Sequence, residues 1–481
     1  MTESISGALG NRLQQLGKEL EAWSREHRDV SLAEHERAVL EAVRSALPEL
    51  LGAVVEQSTT GVAAPETGLP PRCPDCGKRR RSHQWRKRDV LTVCGRVEYE
   101  RPYHYCRRCK QGWAPVDACL ELAPQQRVSG GLREWLVDVG VNVVYREGAR
   151  LLRKLSGLAV AAETVRQHTV GLGLAVEAQE QAAVAQVQSS REAAETVQPA
   201  PGVLVVETDG VMVRYRDQQW HEVKLGVVGG QVDGRLREQS FVAARESAEA
   251  FGPRLVAEAA RRGALEVVGW SGPLTGRGLA QLRELAQLRE LAVLGDGAAW
   301  IWNLAGEHFG QSTEIVDYFH ACEHLWEVAN GVFGTGTPAA ADWAQARCGE
   351  LYETGMEPVL QALSQAKAFT EEGGKVLARE RGYFRSHRHR MDYPAFRKQG
   401  LPIGSGAAEG TAKYLVQHRM KRPGMRWSEP GAQGVLTLRA HLLAERSVVG
   451  VSPLPVPVAC PRPRKPGAPA ATTDAEAQAA A

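Results

Sequence analysis

The chain has 481 residues, 43% of them hydrophobic and 24% charged, with a formal net charge of +3. That length predicts two or more domains with their own cores, most of the chain being globular. No apolar run approaches the roughly 20 residues of a membrane span. The charged opening MTESISGALGNRLQQLGKELEAWSREHRD does not read as a signal peptide, so a cytoplasmic protein without a membrane partner is expected.

Residues 1–58 carry helical periodicity, with Leu13, Leu16, Leu20 and Trp23 on one face and a second run from Leu32 to Leu51. A Gly/Pro/Thr-rich stretch at 58–71 reads as a linker, and a cysteine-rich unit is placed at 68–125. The chain has nine cysteines, an odd number that argues against a disulfide framework, and six of them fall between Cys73 and Cys119. Cys73-Pro-Asp-Cys76 and Cys106-Arg-Arg-Cys109 form two C-x-x-C pairs around the strand-like DVLTVCGRVEYERPYHYC. Each pair presents two sulfurs from one tight turn, and four thiolates satisfy tetrahedral Zn²⁺ with no open position, so a structural zinc ribbon is expected. Cys94 and Cys119 are left over and expected as small buried residues, with His83 and His104 as weaker substitute ligands. Residues 72–110 hold thirteen Lys or Arg against four acids. Arg79, Arg80 and Arg81, with Arg86 to Arg88 around Trp85, suit contact with DNA phosphates. Solvated surface gives the same pattern.

Residues 130–180 return to helix. YREGARLLRKLSGLAVAAETVRQHTVGL holds two helical patterns joined at SGLAV, a helix-turn-helix-like arrangement with Glu163 to His168 opening the second helix. An ordinary helical hairpin has the same signature. Residues 182–200 read as a helical or loose connector.

From 201 to 447 the pattern is α/β. GVLVVETDGVMVRYR, WHEVKLGVVGG and REQSFVAARE read as three strands, followed by helix, strand, helix, strand and helix. AQLREL occurs twice in succession at 280–291 and reads as an amphipathic helix lengthened by local duplication. Residues 331–400 look like a helical insertion. After 449 the Pro/Ala/Thr-rich tail, to 481, reads as disordered.

Acids punctuate this α/β region. Asp209 is expected at the end of the first strand and Asp296 after the fourth, each followed by glycine. Two acids on adjacent strands, with a third on a later helix, suit two-metal phosphoryl chemistry. Turn residues would read the same way singly. Glu409 is the expected third acid, near a helix start with Ser405 as N-cap. Arg419, Lys421, Arg422 and Arg426 follow it where phosphates would pass, and Trp427 and Trp300 are candidates for base stacking. Glu207 and Asp317 compete as acids, with His320, Glu323 and His324 as supporting groups.

Together the motifs ETDGVMV, VLGDGAAWIWN, DYFHACEHLW, YFRSHRHRMDYPAFRKQGLPIGSGAAEG and KYLVQHRMKRPGMRW, with the paired C-x-x-C knuckles, resemble the DDE transposases of bacterial insertion sequences, in particular the Kra-type insertion-sequence family, over about residues 70–445. The resemblance implies an RNase H-like core with a helical insertion, and Asp209, Asp296 and Glu409 as a DDE triad holding Mg²⁺ or Mn²⁺. It also implies strand cleavage and transfer on double-stranded DNA (terminal inverted repeats and target), a homo-oligomer at synapsis, and a nucleoid-associated location. Where similar sequences read VEGACK this chain has AEGTAK, so Ala408 and Ala412 depart from the pattern. A zinc-ribbon DNA-binding regulator with an inactive core, or a nuclease that cuts without joining, are the competing readings.

Overall fold

The computed structural model describes residues 5–63, 69–80, 82–190, 200–264, 290–310, 312–448 and 451. Arg81, the AQLREL duplication up to residue 289, residues 191–199 and nearly all of the 449–481 tail lie outside the described residues. So does the side chain of His83.

Helices α1 (Ile5–Glu26) and α2 (Leu32–Ser58) form a hairpin, followed by the short α3 (Thr60–Ala63). Leu16, Leu20 and Trp23 are half-buried, but Leu13 faces solvent. Arg12 takes the inward place instead and pairs with Glu49 of α2 at 2.9 Å. Strands β1 (Ser82–Thr92) and β2 (Gly95–Cys106) pair antiparallel around a two-residue Val93-Cys94 turn, and the short β3 (Gln111–Trp113) adds to β2. Val55 of α2 packs against Val90 and Tyr99 of this ribbon and against Val116 of α4 (Pro115–Cys119). Cys94 therefore sits in a hairpin turn and Cys119 is exposed at a helix end, which corrects the expectation that both are buried. Arg88 is buried as well. It donates to Asp117 Oδ2 at 2.9 Å, while Arg101 Nε (2.6 Å) and Tyr99 Oη (2.9 Å) donate to Asp117 Oδ1. Arg88 thus serves the packing of α4 on the ribbon, not phosphate contact.

Three helices follow: α5 (Gly130–Asn142), α6 (Tyr145–Ser156) and α7 (Ala162–Ser190). The α6 to α7 turn runs through Gly157 in the left-handed region. Helix α7 has 29 residues and continues through the first half of the expected connector. Val165, Val170, Leu172 and Val176 are buried along it. A helix that fills a major groove needs a free face. Here the middle of α7 is core, and its first turn is only half-exposed.

The α/β region is a five-stranded mixed sheet in the order β6-β5-β4-β7-β8. Strands β4 (Val203–Arg214), β5 (Trp220–Val232) and β6 (Arg235–Ala244) are antiparallel neighbours, and β7 (Leu291–Gly295) and β8 (Thr313–Val316) run parallel to β4. Helices α8 (Ala248–Ala259), α9 (Ala299–His308) and α10 (Tyr318–Phe333) follow β6, β7 and β8 in turn, a mixed α/β arrangement. The apolar runs of β4 and β7 are buried on both faces, as a sheet covered by helices requires.

Helices α11 (Pro338–Glu353), α12 (Met356–Gln365), α13 (Glu371–His387) and α14 (Tyr393–Lys398) occupy the expected insertion. Leu351, Val359, Leu363, Leu377 and Phe384 join the core that Leu325 and Val328 of α10 begin. Next comes α15 (Gly406–Thr411), which runs without a break into a π-helical segment at Ala412–Gln417 and a last turn at His418–Met420. Helix α16 (Glu429–Leu443), the last helix among the described residues, packs against α7 and β6. Among the described residues no helix is long and apolar enough to cross a membrane.

Candidate metal centres and the acidic cleft

The four knuckle cysteines converge. Cys73 and Cys109 sulfurs lie 4.0 Å apart, and those of Cys76 and Cys106 lie 3.8 Å apart. All four lie within 4.8 Å of one another. A tetrahedron of Zn–S bonds of about 2.3 Å needs sulfurs about 3.8 Å apart, so the donor set fits zinc. The turns explain the fit. Cys73 N–H donates to Lys78 O and Gly77 N–H to Cys73 O, both at 2.9 Å. Gly77 and Lys110, each the fourth residue after a first cysteine, both have positive φ (68° and 55°). The Cys106 thiol is pulled down to about 6 by the Cys109 backbone N–H and the Arg80 guanidinium. Four thiolates around Zn²⁺ carry net negative charge, and Arg80 stands where it offsets that charge. Arg80 therefore faces the knuckle thiolates. Arg79 is exposed and donates to Pro70 O at 2.9 Å. His104 is buried against Trp113 and is not part of the cysteine group.

At the carboxyl ends of the parallel strands the acids fall into a row. β4 and β7 pair from Leu204↔Leu291 to Glu207↔Leu294. Two steps further, Asp296 comes level with Asp209. β7 and β8 pair up to Gly295↔Val316, so Asp317 comes level with Asp296. Asp209 is not at a strand end as expected. β4 continues to Arg214, because β5 pairs with it beyond the point where β7 stops. The short β7 leaves one edge of β4 open beside Asp209.

Each acid has a distinct environment. The Asp209 carboxyl is pushed up from the ordinary range by burial, opposed by the Gly210 N–H, and pushed further by Asp296 and Glu409, with His320 pulling it down. Asp209 thus feels the other two carboxylates as like charges. Asp296 Oδ1 accepts from Ala298 N at 2.9 Å in a turn that starts α9. Its loop is held from outside by Tyr383 of α13, whose hydroxyl donates to Asp296 O at 3.3 Å. Tyr383 stacks on His324 at 3.9 Å between ring centres, and His324 Nδ1 contacts Glu380 Oε2 at 2.6 Å. Glu409 is 56% exposed and leans toward Lys413 Nζ at 3.6 Å. The carboxylate atoms of Asp209, Asp296 and Glu409 are not all within 4.8 Å of one another, as those of the cysteine group are.

Glu207 and Asp317, which compete with these acids in the sequence, have other work. Glu207 is 3% exposed, and its Oε2 accepts from Ala408 N at 2.7 Å. It therefore caps the helix that carries Glu409. Burial raises its carboxyl to about 7, although the Ala408 N–H opposes the rise. Asp317 is buried. Its Oδ1 accepts from His320 N at 2.9 Å, and its Oδ2 accepts from the Ser405 N–H and, at 2.6 Å, from the Ser405 hydroxyl. Ser405 is indeed the N-cap residue, but its hydroxyl serves Asp317 and Glu207 supplies the cap from β4. Gly404 permits this closure, since a Cβ there would come within 3.1 Å of Phe319. Ala408 and Ala412 are both buried in the core cluster that includes Val211 of β4 and Val223 of β5, and Thr411, where the pattern has Ala, is buried too. His324, Glu327 and Glu380 also form a close group, but Arg379 bridges Glu327 and Glu380 and holds it as an ion-pair network.

The basic run after Glu409 divides. Arg419 is 1% exposed and donates through Nε and Nη2 to Gly140 O at 3.1 and 3.0 Å, so it holds α5 to the α/β region and is not a surface phosphate ligand. Trp427 is buried too, with Nε1 donating to Met420 O at 3.2 Å, which removes it from base stacking. Trp300 is packed edge-on to Phe251. Arg422 pairs with Glu147 at 3.3 Å. Lys421 and Arg426 are exposed.

A family model described as an uncharacterised protein family (UPF0236) matches residues 75–246, a little over a third of the chain. The chain is similar to that family from the first knuckle through β6, a span that includes Cys76, Cys106, Cys109, Glu207 and Asp209 but ends before Asp296 and Glu409. No curated protein matches the chain.

Proposed function

We propose that the chain is a DNA transposase of the Kra-type insertion-sequence family, with an RNase H-like core that cleaves DNA at element ends and transfers the strand. The observation that carries the reading is the row of acids. Asp296 follows directly on the end of β7, the parallel neighbour of β4 that carries Asp209, and Glu409 approaches from a helix capped by Glu207 of β4. The sheet order β6-β5-β4-β7-β8, with β5 antiparallel and a helical segment before the last acid, supports the same reading.

The donor set fits a divalent cation, because three carboxylates gather at one end of the sheet, close enough for Asp296 and Glu409 to act on Asp209 as like charges. Asp209, Asp296 and Glu409 would hold Mg²⁺ or Mn²⁺, which when bound supplies Lewis-acid polarisation of a phosphodiester and activation of the attacking oxygen. Asp296 and Glu409 need not touch. With ions about 3.5–4 Å apart and ligand bonds near 2.1 Å, ligands of different ions stand up to roughly 8 Å apart. Glu207, Asp317 and Tyr383 keep the carboxylates in place, and the half-exposed Glu409 is free to turn inward. The first step frees a 3′-OH by hydrolysis at the element end, and the second joins that oxygen to target DNA by transesterification. The cysteine knuckles, holding Zn²⁺, would be structural and would support DNA binding.

The test is incubation of purified protein with duplex carrying the element's terminal repeats, with and without Mg²⁺. Metal-dependent nicking and joined products support the proposal. DNA binding with no cleavage at any metal concentration would refute it and leave the regulator reading. Cleavage without joining would leave a nuclease.

A further inference from the structure

A cleft of about 750 Å³ lies away from the acids, where three segments distant in sequence meet. One segment is the start of α6 and α7, with Tyr145 and Arg166. The second is the β4–β5 turn, with Arg216. The third is the buried Arg419 and the KRPGMRW loop after it, with Arg426 and Trp427. Four arginines line it and no Asp or Glu does.

The β4–β5 turn and the KRPGMRW loop are fixed to one another by backbone. Arg216 N donates to Trp427 O at 2.9 Å, and Trp427 N to Arg214 O at 3.2 Å. The Arg419 guanidinium carbon lies 4.8 Å from the Tyr145 ring centre and 4.9 Å from that of Trp427, while its nitrogens hold Gly140 O. Arg419 thus builds the cleft and leaves the recognition to others. Arg166 is engaged by Glu163 at 2.7 and 2.8 Å. Arg216 and Arg426 are exposed at the rim and make no ion pair among the described residues. Two unneutralised guanidiniums on a prebuilt concave wall, with aromatic and arginine packing behind them, match a polyanionic backbone.

We infer that this cleft binds the phosphodiester backbone of DNA, with Arg216 and Arg426 as the phosphate ligands. The inference rests on the DNA-directed reading of the chain but not on its catalysis. β4 connects the two sites directly. Arg216 lies seven residues beyond Asp209, at most about 23 Å along an extended strand. At 3.4 Å per nucleotide the cleft takes phosphates within about seven nucleotides of the scissile bond.

The experiment is equilibrium binding of the full chain to labelled duplex over a series of salt concentrations, with wild type, Arg216→Ala/Arg426→Ala and, as a charge control outside the cleft, the exposed Lys375→Ala on α13. Each lost phosphate contact lowers the salt slope by about 0.9, so the double variant is expected to lose about 2 from the slope and on the order of 30-fold in affinity at 0.15 M salt. Lys375→Ala keeps wild-type affinity and slope. An unchanged slope in the double variant, with unchanged thermal unfolding, overturns the inference whether or not the protein cleaves DNA. A changed slope in a protein that never cleaves upholds the cleft and refutes the transposase reading. Preference for single-stranded RNA over duplex DNA in the wild type also overturns it.

Discussion

Replacing Glu207 is the most informative perturbation of the acidic cleft, because two roles for a buried carboxylate predict opposite patterns. In the structure Glu207 caps α15, accepting from Ala408 N at 2.7 Å with only 3% exposure. Glu207→Ala leaves that N–H buried without a partner. A hydrogen bond of this kind contributes about 1 kcal/mol, and orphaning a buried donor costs about 1–3 kcal/mol. In a catalytic region of this size each kcal/mol shifts the melting temperature by about 2–4 °C, so a loss near 2 kcal/mol lowers it by about 4–8 °C. Glu207→Gln keeps an acceptor oxygen in the same place, so it retains most of that stability and, with Glu409 still positioned, most of the cleavage rate. Differential scanning calorimetry and a nicking assay on both variants give the answer. If Glu207 were instead a metal ligand, Glu207→Gln would abolish cleavage as fully as Asp209→Asn while melting normally. That result would refute the capping role.

Three further outcomes follow from other parts of the structure. Asp117→Ala strands the buried guanidiniums of Arg88 and Arg101 and is expected to cost about 3–5 kcal/mol in denaturant unfolding of the ribbon region; a loss below about 1 kcal/mol would contradict the network. Gly297 has φ +101° and a Cβ there would stand 2.7 Å from Tyr383 Oη. Gly297→Ala should therefore displace the Asp296 loop and cut the cleavage rate at least tenfold; full activity in this variant would deny the contact. Burial raises the Glu180 carboxyl, but the His441 hydrogen bond and the Arg261 and Arg446 guanidiniums outweigh it and hold the group well below the usual range. A depressed carboxylate stabilises the fold above its unfolded value of about 4.5 and loses that contribution as pH falls through the folded value. The stability gap between wild type and Glu180→Gln should accordingly be widest above pH 4.5 and shrink in acid, and a gap that stays constant to pH 3 would contradict the pairing.

What the sequence makes legible here is local. The strand order shows in the alternation of apolar runs and turns, the knuckles in their C-x-x-C spacing, and the candidate acids in glycine-flanked positions after apolar runs. What it hides depends on contacts between distant residues. The Ser405 hydroxyl looks like an N-cap until Asp317, 88 positions away, claims it. Glu207 looks like a rival to Asp209 until the helix 201 positions on brings Ala408 N to it. Arg419 looks like one more cation in a basic run, but Gly140 O, 279 positions earlier, draws it inside. The support that Tyr383 gives Asp296 likewise comes from the insertion, across 87 positions. Arg80 had a visible clue, since it follows the first knuckle directly and thiolates attract a neighbouring guanidinium.

The central claim is that Asp209, Asp296 and Glu409 act as one metal-dependent centre. Residues that act as a unit lose as much singly as together. The direct measurement is the Mg²⁺-dependent cleavage rate of Asp209→Asn, Asp296→Asn, Glu409→Gln and the triple variant, each checked for normal melting and DNA binding. The account predicts that every single variant falls to the rate of the triple. A single variant that keeps substantial cleavage, with further loss on combining the three, would contradict it.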